Sequence, residues 1–147
     1  MEVNIQHVLI QSVWSNPEPE DVRELHVDRH ILAKRRWRQF LGEELEVIYQ
    51  LSVASKHGQL LHGSDGSCYK VVQKEEMVIA IPMPQSLEMA AKIGWYLGNQ
   101  HLGIEVRPTE ILLENVHTLA SSLERIGIPF ERREDVFLCA LHSSHSH

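Results

Sequence analysis

Histidine is the side chain whose number and placement invite a chemical reading. Ten occur in 147 residues, and three of them, His142, His145 and His147, fall within the last six positions. Neutral imidazole is a ligand for borderline transition metals such as Ni2+, Zn2+ and Cu2+, and spacing and geometry, more than affinity, select among them. Short histidine-rich tracts are a compositional sign of metal binding. The polar tract His142-Ser143-Ser144-His145-Ser146-His147 therefore has two readings: three ligands that can rotate toward one ion, or a chain end with adventitious affinity.

His101 is the more pointed case. It closes Leu97-Gly98-Asn99-Gln100-His101 at the expected C-terminal end of a helix, where the helix dipole favours a cation. One reading is a helix-end residue bonded to a carbonyl. The other is half of a metal site, if a twofold axis near the helix brings two copies of His101 together and the tails supply the rest. His117 falls in the first turn of a second expected helix, as exposed surface or as an auxiliary ligand. His7, His26, His30, His57 and His62 have no ligand spacing and read as surface or packing residues, with the His26–His30 segment extended or irregular. Cys139 is expected on the last strand, in the core or, being close to the tail, as a thiolate ligand, and Cys68 on an earlier strand; the pair forms neither a CxxC motif nor a disulfide framework. There is no G-x-S-x-G, P-loop, dinucleotide fingerprint or H-E-x-x-H. Few, exposed and partly flexible ligands suit loading and release better than catalysis, so the chain is expected not to be an enzyme.

The elements that must position these residues differ between the two halves. Val3 to Val13, Val47 to Val53, Leu60-Leu61, Cys68 to Val72 and Met77 to Met83 read as strands closed by turn residues, Gly63-Ser64-Asp65-Gly66 being the strongest turn. From Met77 the pattern is strand, helix (Ser86 to about Asn99), strand (103–106), strand (110–113), helix (Asn115 to Ile126) and a last strand from Phe130 to Cys139. That β-α-β-β-α-β order is the ferredoxin-like one. Val116, Leu119, Ala120 and Leu123 give the second helix its apolar stripe, with Asn115 as N-cap and Gly127 and Pro129 as the stop. The first helix is apolar on two faces: Leu87, Ala90, Ala91, Gly94, Trp95 and Gly98 make one stripe, Met89, Ile93, Tyr96 and Leu97 much of another. It needs cover on both sides, from its own sheet and either a second subunit or the N-terminal module. Ala90 and Gly94 lie on a row running through Leu97 to His101. The expected architecture is α+β: a β-rich partner-binding domain over 1–74, a ferredoxin-like metal-binding and dimerisation domain over 75–140, and a flexible histidine-bearing tail over 141–147.

Fourteen Lys and Arg against twenty Asp and Glu give a formal charge of −6, which argues against nucleic acid as the main partner. No apolar run approaches the ~20 residues that span a bilayer, and Met1-Glu2-Val3-Asn4 lacks the basic start of a secretion signal, so a cytoplasmic protein without a membrane partner is expected. Only Lys34-Arg35-Arg36-Trp37-Arg38 is locally basic.

Leu97-Gly98-Asn99-Gln100-His101, followed by Gly103-Ile104-Glu105-Val106, resembles the helix-end signature of the UreE family, nickel metallochaperones of urease assembly. Arg29, the basic stretch 34–38, Gly58-Gln59-Leu60-Leu61-His62-Gly63, Glu76-Met77-Val78-Ile79-Ala80-Ile81 and the histidine-bearing C-terminus extend the resemblance over most of the chain. Gln100 stands where the family usually has Arg, and Gly103 where Pro is common. The resemblance implies a homodimer with His101 binding nickel beside its symmetry mate, His117 as a surface metal-binding histidine, and His142, His145 and His147 in the place of the metal-binding tail. It further implies an N-terminal domain related to a chaperone peptide-binding module, and delivery of Ni2+ to the urease activation complex, which includes the accessory GTPase UreG. Zn2+ or Cu2+ can occupy the same ligands. The alternative is an interaction module of urease assembly in which bound metal mainly stabilises the dimer.

Overall fold

A computed structural model describes residues 4–139, and the chain divides into two compact units, residues 1–74 and 75–147. The tail histidines His142, His145 and His147 lie outside the described residues.

In the first unit, strands β1 (Gln6–Val13), β2 (Arg23–Val27), β3 (Trp37–Leu41), β4 (Leu45–Tyr49), β5 (Leu60–Gly63) and β6 (Cys68–Gln73) form one sheet in the order β2-β6-β5-β1-β4-β3. β1 pairs parallel with β4, and β2 with β6; the other neighbours are antiparallel. Period-two alternation explains the burial. In β2, Leu25 and Val27 are fully buried while Glu24 and His26 are exposed on the opposite face. The two apolar residues join Val8, Ile10, Val47, Leu61, Tyr69 and Val71 in one core, where Trp37 stacks on Tyr49 with ring centroids 5.0 Å apart. The β5–β6 turn uses Gly66 at φ 84°, and the Asp65 carboxylate accepts the Ser67 N–H and the Tyr69 hydroxyl.

β2 and β3 were not foreseen, because charged outward residues dilute their apolar alternation. The segment around His26 and His30, expected extended or irregular, is extended at His26 in β2 but forms a single helical turn, α1 (Arg29–Leu32), at His30, which corrects the expectation there. The strand expected over 47–53 is shifted to Leu45–Tyr49.

The second unit runs β7 (Glu76–Pro82), α2 (Leu87–Asn99), β8 (Ile104–Val106), β9 (Glu110–Glu114), α3 (His117–Ile126) and β10 (Glu131–Asp135). Its sheet has the order β10-β7-β9-β8 with all neighbours antiparallel. Register assigns the two faces. Ile79, Ile81, Ile111 and Leu113 pack with Ile93 and Leu97 of α2 and with Leu119, Ala120 and Leu123 of α3. Val78, Ala80 and Leu112 point to the opposite face, where Phe137 is fully buried against them.

Local chemistry sets the helix ends. Ser86 caps α2 by accepting the Met89 N–H, and Gly127 ends α3 in the left-handed region at φ 78°. The N-cap of α3 is Val116, with no side-chain cap; Asn115 instead accepts a hydrogen bond from Arg132 Nε. The last strand ends at Asp135, not Cys139, and Cys139 is half-buried beside Phe137 beyond the strand end. On α2, Ile93 and Leu97 are buried, whereas Leu87 is 89% and Trp95 71% exposed in the single chain. Leu97 therefore belongs to the sheet-facing side, and the outward row of small residues runs Ala90, Gly94, Gly98. A Cβ on either of these glycines would meet nothing within 4 Å.

Candidate metal centre

His101 owes its position to how α2 stops. Gln100 is the C-cap in the right-handed region, and His101 follows at φ 56° with its N–H donated to the Gly98 carbonyl at 3.1 Å. Among the described residues it is the one non-glycine with positive φ. Glycine is the usual occupant of such a helix-end position; histidine is one of the few side chains enriched there, at a penalty of ~1 kcal/mol. The left-handed turn leaves the imidazole exposed. The last turn of α2 has no basic residue, so no side chain competes for the negative end of the helix dipole.

His117 is the first residue of α3, exposed, with no acidic residue in that turn. It stands at the positive end of a helix, where a cation is disfavoured by a few tenths to ~1 kcal/mol. Neither His101 nor His117 makes a side-chain hydrogen bond or ion pair among the described residues. No three His, Cys, Asp or Glu side chains gather into a ligand set there either.

The first-unit histidines differ. His7 Nδ1 donates to Glu46 Oε1 at 3.1 Å, and His57 Nδ1 accepts the Gln73 N–H at 3.0 Å. His62 packs edge-on against Trp14 with ring centroids 5.4 Å apart. His30 Nε2 faces the Arg29 guanidinium at 3.4 Å, and His26 faces Glu24 at 3.6 Å.

The sheet face turned away from the helices carries a charged network that no local sequence pattern marks. Arg107 donates from Nε to Glu105 at 2.7 Å, from Nη1 to Asp135 at 3.0 Å, and from Nη2 to the Val136 carbonyl at 2.9 Å. The second oxygen of Glu105 accepts the Leu138 N–H at 2.7 Å. Arg133 binds Glu110, Glu131 and Asp135. Hydrogen bonding from Arg107 holds the Asp135 carboxyl below its ordinary range, and Arg133 does the same for Glu110. The only sequence signal was Phe137, a large apolar residue just after the charged run 131–135.

The donor set suits a borderline divalent ion: an exposed imidazole at the negative end of a helix, within a fold that leaves its ring nitrogens free among the described residues. Among the described residues no helix is long and apolar enough to cross a membrane. Residues 76–147 match the model of the UreE urease accessory protein C-terminal domain. Over nearly its whole length the chain is similar to Urease accessory protein UreE of Beijerinckia indica, 26% identical over 95% of this chain and 84% of the relative. It is similar also to the proteins of the same name from Staphylococcus aureus strains MRSA252 and Newman, each 25% identical over 94% of this chain and 93% of the relative. Residues 76–147 belong to the UreE C-terminal domain family, and along its length the chain is similar to proteins named as accessory proteins of urease, not as enzymes.

Proposed function

We propose that the chain is a nickel metallochaperone acting in urease maturation, a homodimer that binds Ni2+ between the two copies of His101 and passes it to the urease activation complex through the accessory GTPase UreG. The observation that carries this reading is His101 itself: a left-handed, exposed imidazole at the end of α2 with no side-chain partner among the described residues. One imidazole does not hold an ion tightly, and no further ligands gather around it there. A second copy supplies the missing ligand. The exposed face of α2, with Leu87, Ala91 and Trp95 beside the Ala90-Gly94-Gly98 row, offers that copy an apolar surface with room for close helix approach.

In this account residues 1–74 are the partner-binding domain, and residues 75–140, ferredoxin-like in strand order, carry dimerisation and the metal. Residues 141–147 bring His142, His145 and His147 as outer ligands, and His117 is an auxiliary surface site. Zn2+ and Cu2+ compete for the same imidazoles, and the protein works in the cytoplasm. Release follows from the same features: exposed imidazoles can be replaced one at a time by ligands of the acceptor.

The test is nickel titration by calorimetry of the wild type and His101→Ala. The account expects a tight class of one ion per two chains that disappears in the variant; unchanged stoichiometry and affinity would remove the interface site.

A further inference from the structure

The chain beyond β10 does not simply leave the domain. β10 and β8 are the two edges of a four-stranded sheet, about 14 Å apart at the usual strand spacing. Residues 136–139 cross this width on the face away from the helices. Val136 is held through its carbonyl by Arg107, Phe137 is fully buried on Val78 and Ala80 of β7 and Leu112 of β9, and Leu138 donates its N–H to Glu105 of β8. The crossing is fastened at both ends by one ion-paired group, since Arg107 holds Asp135 at the departure and Glu105 at the arrival.

We infer that Glu105, Arg107 and Phe137 form a strap that sets where the histidine-bearing tail begins, delivering it to the edge of the sheet that carries His101. Glu105 follows His101 by four residues, so their backbones lie within ~14 Å. The Glu105 side chain and its bond to Leu138 add under ~8 Å. From Leu138 an extended chain reaches at most ~14 Å to His142 and ~32 Å to His147. The tail can thus span to His101 from its anchored start. Freed of the strap, the tail would be tethered at Asp135 on the far edge, through a longer linker and with a lower effective concentration of imidazole at His101. Glu105, Arg107 and Phe137 are positioning residues; none is placed as a ligand.

The inference rests on the reading that His101 and the tail bind nickel together, and a cycle on the full-length chain separates the two ideas. Nickel affinity is measured by calorimetry for the wild type, Glu105→Ala, the triple variant His142→Ala/His145→Ala/His147→Ala, and the combination. Metal-free thermal melting accompanies each, and Arg107→Gln replaces Glu105→Ala should that variant not fold. The expected result is that Glu105→Ala weakens binding about 3- to 10-fold and that this effect vanishes in the triple background. An equal loss in both backgrounds would mean that Glu105 acts on the metal or on His101 directly, and would overturn the strap. Loss on the triple substitution with none on Glu105→Ala would overturn the strap and leave the tail ligands standing. Unchanged binding in the triple variant would overturn both.

Discussion

The five histidines of the β-rich unit and the two described histidines of the second unit are the same side chain in opposite surroundings. Those of the first unit are tied into the fold or to a neighbour: His57 receives a strand amide, His7 a buried carboxylate, His62 an aromatic edge, His26 and His30 a charged residue alongside. His101 and His117 point outward with no side-chain partner among the described residues. An imidazole that already donates or accepts within the fold must break that bond to take a metal; a free one need only lose its water. Histidine count is therefore a poor guide to metal binding, and what the second ring nitrogen is doing is a better one.

The contrast can be broken first by exchanging readouts. His101→Ala is expected to weaken nickel binding by about 100-fold or more, since even indirect partners of metal ligands are worth 10–100-fold, and to leave the metal-free melting temperature nearly unchanged. His57→Ala should reverse this: the Gln73 amide loses that acceptor, stability falls by about 1–3 kcal/mol, and nickel affinity stays within about twofold. Calorimetric titration and thermal melting of both variants check the pair, and a nickel effect of His57→Ala would erase the distinction between the units.

A smaller effect tests the charged network of the second unit by pH. Arg107 and Arg133 depress the Asp135 and Glu110 carboxyls in the folded state. Their contribution is present above the unfolded values near ~4 and is lost as pH falls through the lower folded values. Asp135→Asn should flatten the acid limb of the stability curve below about pH 4 and lower stability at pH 7 by about 0.5–1 kcal/mol, the modest figure proper to partly exposed pairs. Denaturant melts at stepped pH read both. The smallest expected effect is that of His117→Ala, at most about twofold in nickel affinity, because His117 stands at the positive end of α3, where a cation is disfavoured.

Much of the second unit was legible because its period is countable: the stripe Val116, Leu119, Ala120, Leu123 and the stop at Gly127 fix α3, and the alternation of Ile79 and Ile81 with Val78 and Ala80 fixes a strand buried on both faces. β2 and β3 were not, since Glu24, His26 and Arg38 occupy outward positions, Arg23 puts a charge on the core-facing row, and the apolar residues alone are too few to show a period. His101 was legible as the end of a helix, but its left-handed backbone was not, for nothing in Asn99-Gln100-His101-Leu102 announces positive φ as a glycine would. The strap was hidden altogether: hydrogen bonds from Arg107 to Glu105, Asp135 and the Val136 carbonyl join residues up to 29 positions apart, and no local pattern records them.

His101→Gly gives the most direct test of the central claim, because glycine suits the left-handed position better than histidine but carries no ligand. The account predicts that the metal-free protein melts at the same temperature or slightly higher, relieved of ~1 kcal/mol of backbone strain, while the tight nickel class of one ion per two chains disappears from the titration. A His101→Gly protein that binds nickel with the wild-type stoichiometry and affinity would contradict it.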